Sequence, residues 1–227
     1  MTRRIAFFDV DETLLAGRTL LEFWHAHAAR LVGEGRTPGV LRTAGADRET
    51  LNRAYFAHFA GARRSSFDEA ARQWYARFRS GPHAYLTETL DALRRHQSEG
   101  DEVALVTGSG VALARPVAED LGVLHVLATE QLADAAGVLT GEVRRPMIGA
   151  AKQDAAAALI RRLGVRARDC WAYGDHESDL PMLSLVGHPV VVGDDPVLAA
   201  RGMAQGWYFV GTRTGPRFER SALLQVS

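Results

Sequence analysis

The chain has 227 residues, 47% hydrophobic and 24% charged, and its 27 basic side chains balance 27 acidic ones. That composition suits a globular protein with one sizeable core and an inserted subdomain, and it offers no charge excess for nucleic acid or an anionic membrane. One cysteine, Cys170, excludes an internal disulfide framework and suits a reducing compartment, so a cytoplasmic location is expected.

The first apolar run, Ile5 to Phe8, is too short for a secretion signal and reads as a buried strand. It runs directly into Asp9-Val10-Asp11-Glu12-Thr13, which puts two carboxylates at the end of a strand. Open α/β sheets bind ligands at that edge, whereas the plainer reading has both Asp side chains making turn hydrogen bonds. The stretch 14–24 is apolar but interrupted by Arg18 and Glu22, so it does not span a bilayer.

The spacing of Leu20, Leu21, Phe23, Trp24, Ala28 and Leu31 predicts a helix over 19–30, ended by Gly33 and Gly35 before a loop over 33–45. Asp47 is placed to cap a helix reaching about Phe59. Ser66 with Glu69 reads as a capping box for a helix to about Phe78, and Pro82 as the opening of a helix that ends near Gly100. Trp24, Tyr55, Phe56, Phe59, Trp74 and Tyr75 recur at helical spacings and predict the core of a purely helical subdomain, with one or two lining a pocket. That subdomain occupies 15–82, between two stretches of a core domain at 1–14 and 83–227.

Beyond Gly100 strands and helices alternate. Strands are predicted at 103–106, 125–128, 171–173, 190–192 and 207–210, with a small hairpin over 138–143. Helices are predicted at 111–121, 149–163, 178–185 and 196–203, and a loosely held tail from Gly211. Single helices between strands imply right-handed crossovers, hence an α/β fold with a mostly parallel, Rossmann-like sheet and helices on both faces.

Four separated features lie at or near predicted strand ends: Asp9/Asp11/Thr13; Thr107-Gly108-Ser109; Lys152; and Gly174-Asp175-His176-Glu177-Ser178-Asp179. Crossovers carry these to one edge of the sheet. Lys152 is the single lysine among the 27 basic residues, a place where a compact ammonium persists in an arginine-rich chain. Clustered carboxylates need a cation to remain ionised, and hard oxygen ligands with room for water and phosphate suit Mg²⁺. A carboxylate can attack phosphorus, a second can shuttle the proton, and hydroxyl, amide and ammonium groups can stabilise the equatorial oxygens.

In these four motifs and the helical insertion the chain resembles the haloacid dehalogenase superfamily phosphatases, in the branch of the phosphoserine phosphatases. The resemblance implies Asp9 as nucleophile, Asp11 as general acid/base, and Thr107 and Lys152 on the phosphoryl oxygens beside Gly108 and Ser109. It further implies Mg²⁺ held by Asp9, the Asp11 carbonyl and Asp175, with Asp179 supporting a metal-bound water, and a cap formed by the insertion. The expected activity is hydrolysis of a small soluble phosphate ester through an aspartyl phosphate. Two rivals share the residues: a phosphotransferase to another alcohol, and a catalytically silent metabolite-binding protein of the same fold.

The chain departs from the phosphoserine enzymes at three points. Where they carry an ammonium-reading Glu nine residues after the nucleophile, this chain has Arg18, which disfavours phosphoserine and favours an anionic or hydroxyl-rich leaving group. Their Gly-Gly-Phe-Thr stretch after the second motif is absent, and Ser178 stands where they usually carry Asn. His176, Arg144 and Arg145 are further candidates, each with a solvated surface residue as the plainer alternative.

Overall fold

A computed structural model describes residues 4–32, 46–212 and 224–225 of the chain. Its centre is the strand β1 (Ile5–Phe8), buried throughout because both faces of the sheet are covered. On one side lie β2 (Glu102–Gly110) and β3 (His125–Thr129). On the other lie β6 (Trp171–Gly174), β7 (His188–Val192), β8 (Tyr208–Val210) and β9 (Leu224–Gln225), giving the order β3-β2-β1-β6-β7-β8-β9. All pairings are parallel except β8 with β9. A separate antiparallel pair joins β4 (Gln131–Ala133) to β5 (Leu139–Val143).

The direction of strand addition reverses at β1, and in an open parallel sheet that reversal leaves a crevice beyond the carboxyl ends of the strands. Phe8 is in register with Leu105 of β2 and Tyr173 of β6, so the residues just past these three strand positions emerge together.

Alternation along the strands divides the core into two layers. Ile5, Phe7, Ala104, Val106, Ala172 and Val191 pack with α6 (Ala150–Leu163), α7 (Leu180–Leu183) and α8 (Pro196–Gln205). Ala6, Phe8, Val103, Leu105, Tyr173 and Val190 face the opposite side, with α4 (Thr87–Ser98) and α5 (Val111–Leu121). That second layer continues without a break into the helices inserted between β1 and β2: α1 (Thr19–Val32), α2 (Arg48–Ala57) and α3 (Arg64–Phe78). Trp24, Tyr55, Phe56, Phe59, Trp74 and Tyr75 are all buried there, as their spacing predicts. Their rings meet edge-on or tilted, as for Tyr55–Phe56 (5.2 Å) and Trp24–Phe59 (5.6 Å), the geometry preferred by aromatic quadrupoles.

Several boundaries differ from the sequence reading for local reasons. Asp47 caps α2 as expected, accepting from Thr50 N at 2.9 Å. Ser66 does not cap α3: the helix begins at Arg64, because Arg64 N already donates to Gly137 O and Glu69 is taken by Arg72 and Gln73. The helix expected from Pro82 begins at Thr87, since the chain before it pairs with the segment after β1 through Ala16 N to Ala84 O and Leu86 N to Leu14 O. The hairpin has its first strand at β4, which the sequence reading missed, and 178–185 divides into a 3-10 turn (Glu177–Asp179) and the short α7. The tail contributes β9. The loop expected over 33–45 lies outside the described residues. No helix among the described residues is long and apolar enough to cross a membrane.

Candidate active site

The site begins with the turn that ends β1. Asp9 N donates to Tyr173 O, extending the ladder to β6 by one residue, and Leu14 N and Leu15 N both donate to Val10 O. Closing this tight turn places Glu12 in the left-handed region at φ +56°, which is uncommon for a residue with a side chain. Val10 is buried in the core, while Asp9 and Asp11 on either side of it line one cavity of about 380 Å³. Turn geometry and a carboxylate cluster therefore coexist, and the plainer turn reading does not exhaust the role of these residues.

Lys152 projects from the first turn of α6 and is 4% exposed. Its Nζ donates to Asp9 Oδ1 at 2.5 Å and to Asp179 Oδ1 at 2.7 Å. Burial disfavours the ammonium, but the two carboxylates outweigh that cost and raise its pKa, so the lysine stays charged. Gly149, just before α6, has φ +56° and lets the chain turn into the helix at the depth this contact needs.

The loop after β6 supplies the remaining acids. Asp179 is buried, and its carboxylate lies against Gly174, where a Cβ would come within 2.7 Å of Asp179 Cβ. Asp175 Oδ1 accepts from the Thr13 hydroxyl at 3.0 Å, joining the first and last motifs. One oxygen from each of Asp9, Asp175 and Asp179 lies within 4.8 Å of the others. Burial, then Asp179, pushes the Asp175 carboxyl up to about 6. Burial also raises Asp9 well above its ordinary value, with Lys152 opposing and the neighbouring carboxylates reinforcing the rise. A hard divalent cation fits this donor set: oxygen-only ligands, Asp9 and Asp179 buried and Asp175 half-buried, with negative charge in excess of the one ammonium.

Asp11 points elsewhere. Its Oδ1 accepts from the backbone N of Thr19 at 2.9 Å and from the Thr19 hydroxyl, and its Oδ2 accepts from Ser109 Oγ at 2.9 Å. Burial raises its pKa above the usual carboxylate range, against these hydrogen bonds. Thr107 is buried near the carboxyl end of β2, where the register with β3 shifts between Thr107 and Gly110, and its hydroxyl accepts from Ser109 N at 3.0 Å across this irregular stretch at Gly108.

The cavity wall opposite comes from the inserted helices and comprises Arg18, Leu20, Leu21, Arg48, Leu51, Asn52 and Tyr55. Arg18 does reach the cavity, but its side chain is 66% exposed and its guanidinium is paired with Glu12 at 2.8 Å. His176 lines the cavity too. Its Nδ1 accepts from Ser178 N at 3.0 Å, and burial, then Arg48, lowers its pKa, so it serves the loop as a neutral capping group. Arg144 and Arg145 lie outside the lining, paired with Glu130 and Asp154.

Sequence reasoning missed Thr19, Arg48 and Asn52. Asn52 left one usable signal: it is a polar residue three and four positions before Tyr55 and Phe56, on the stripe that packs inward.

A parallel α/β sheet whose carboxyl edge gathers buried carboxylates around one lysine has the features of an enzyme's active site. The family model of the haloacid dehalogenase-like hydrolases matches residues 6–184, and the chain belongs to that family. It is 30% identical to the "Inhibition of morphological differentiation protein" of Streptomyces azureus over 91% of this chain and 78% of that one. It is 29% identical to a phosphoserine phosphatase of Mycobacterium tuberculosis, over 89% of this chain and 68% of the relative. Among solved structures, a phospho-aspartyl intermediate analogue of phosphoserine phosphatase superposes with a TM-score of 0.68 at 17% identity. It covers 95% of this chain and 96% of its own, a likeness of fold.

Proposed function

We propose that this enzyme, a phosphatase of the haloacid dehalogenase-like family, hydrolyses a small phosphate monoester in two steps through a phosphoaspartate on Asp9, with Mg²⁺ as cofactor. The observation that carries this reading is the bridge from Lys152 to Asp9 and Asp179 at the floor of a cavity that Asp11, Ser109 and Gly108 also line. Helices α1 to α3, with the segment around them (15–82), act as a cap over the core formed by 1–14 and 83–227.

Asp9 offers the carboxylate oxygen not engaged by Lys152 to the phosphorus. As the new P–O bond forms, the bond to the leaving oxygen breaks, and the Asp11 carboxyl protonates that oxygen. Burial favours the protonated form of this carboxyl, the direction a general acid needs. Thr19 and Ser109 hold the Asp11 carboxyl in one orientation, so little reorganisation is needed when the proton moves. In the second step Asp11 takes a proton from water, which attacks phosphorus, and the Asp9 carboxylate is regenerated as phosphate leaves. Lys152, Thr107 and the segment at Gly108 and Ser109 neutralise charge on the transferring oxygens.

Asp9, Asp175 and Asp179, with the Asp11 carbonyl, would hold Mg²⁺, which when bound offsets the excess of negative oxygens. Thr13 orients Asp175 for that purpose. Water is the acceptor in this reading because the family the chain belongs to is one of hydrolases. The test is Mg²⁺-dependent release of p-nitrophenol from p-nitrophenyl phosphate, with acid-stable capture of phosphorus on the protein. No turnover of any phosphate ester with Mg²⁺ would favour the silent binding protein, and transfer of phosphate to an added alcohol in preference to water would favour the phosphotransferase.

A further inference from the structure

The amide of Asn52 is held in one orientation. Its Nδ2 donates to the carbonyl of Gly108 at 2.8 Å, and the same carbonyl accepts from Thr129 Oγ1 at 2.8 Å. A carbonyl can only accept, so rotating the amide by half a turn would set oxygen against oxygen. Asn52 Oδ1 is therefore the end left over. Among the described residues it has no hydrogen-bond partner; the oxygen itself is closed to solvent, so a donor reaches it only as the adjoining side chains give way, and the residue, 5% exposed, lines the cavity. An amide oxygen left unmatched in such a place is costly, and a donor on the substrate would recover that cost. The segment it grips is the irregular end of β2 at Thr107-Gly108-Ser109, so this acceptor sits next to the proposed phosphoryl site. The lining residues Leu20, Leu21 and Leu51 offer no side-chain hydrogen bond, whereas Arg18 and Arg48 can only donate, so Asn52 Oδ1 is an acceptor on a wall of leucines and cations.

We propose that Asn52 is a specificity residue whose Oδ1 accepts a hydrogen bond from an O–H or N–H group on the leaving alcohol, so that the preferred substrates are phosphate esters carrying a hydroxyl or amine close to the ester oxygen. The inference rests on the phosphatase reading above. It also gives the inserted helices a means of sensing the core, because one side chain touches both the end of β2 and the leaving group.

The experiment compares kcat/KM for four esters of similar size: 2-hydroxyethyl, 2-aminoethyl, 2-methoxyethyl and ethyl phosphate. The unaltered enzyme should favour the hydroxyl or the amino ester over the methoxy ester by about tenfold, the size expected when a buried acceptor gains or lacks its donor. Which of the two leads identifies the donor. Asn52→Leu should erase that ratio. Thr129→Val, which weakens the grip on Gly108 without touching Oδ1, should lower all four esters together and leave the ratio standing. Equal rates for the four esters in the unaltered enzyme would overturn the proposal, as would a ratio that survives Asn52→Leu. The comparison in the unaltered enzyme decides the matter alone should Asn52→Leu fail to fold. Absence of turnover on every ester, p-nitrophenyl phosphate included, would overturn the phosphatase reading and this one with it.

Discussion

The floor and the roof of the cavity are built on opposite plans. On the floor, Asp9, Asp179 and Lys152 are buried and Asp11 is half-buried, and each is held by hydrogen bonds from at least two different segments. On the roof, Arg18 and Arg48 are exposed, Leu20, Leu21 and Leu51 are half-buried, and polar contacts are few. A floor fixed from several strands resists change, because displacing one charge leaves another buried without compensation. A roof on helices with little cross-bonding can vary its side chains at low cost. In the proposed mechanism chemistry and selectivity are thus divided between two parts of one site.

Changes on the floor should have the largest effect. Asp9→Asn removes the attacking oxyanion and should lower kcat for p-nitrophenyl phosphate by at least ~10³-fold with the fold intact by circular dichroism. An equal rate would remove Asp9 from the chemistry. Gly174→Ala comes next. The added methyl collides with Asp179 and should disturb the Lys152 bridge, lowering kcat by roughly 10–100-fold. A normal rate would show that the loop yields without cost.

Metal binding gives a smaller, graded effect with a defined sign. Asp175 in the folded chain binds a proton up to about pH 6, whereas in the unfolded chain it releases it near about pH 4. The folded state therefore holds more protons between those values, and without a cation stability falls as pH rises through that window. Mg²⁺ needs the ionised carboxylates, so its gain in Tm should be larger at about pH 7.5 than at about pH 5. A gain of equal size at both would argue against Asp175 as a ligand.

The roof should respond least. Arg18→Glu would set two carboxylates side by side with Glu12 and should change the preference between anionic and neutral leaving groups by about 3–10-fold. Turnover of p-nitrophenyl phosphate should change less. Uniform loss across substrates would count against a selective role and make the Glu12–Arg18 pair a structural one.

The floor was legible because its signals are local and chemically unusual. An Asp-x-Asp after four apolar residues, a lone lysine and an acidic loop after a strand each mark themselves, and parallel crossovers oblige them to meet. The roof was less legible. Arg18 could be picked out by position, but its pairing with Glu12 depends on the left-handed turn at Glu12. Asn52 looks like any polar helical residue until α2 is laid against Gly108. Ser66 and Glu69 satisfied a capping pattern that competing partners had already claimed.

Taken alone, the order of residues determined the alternating architecture, the central strand and the acidic and basic groups at the strand ends, since periodicity and charge follow from covalent neighbours. Only the folded arrangement decided that Lys152 joins Asp9 to Asp179, that Thr13 reaches Asp175, and that one amide oxygen of Asn52 is left without a partner. Each of these depends on side chains brought together from distant segments, at distances of about 3 Å, by helix packing and strand register. Short-range patterns carry no record of such approaches.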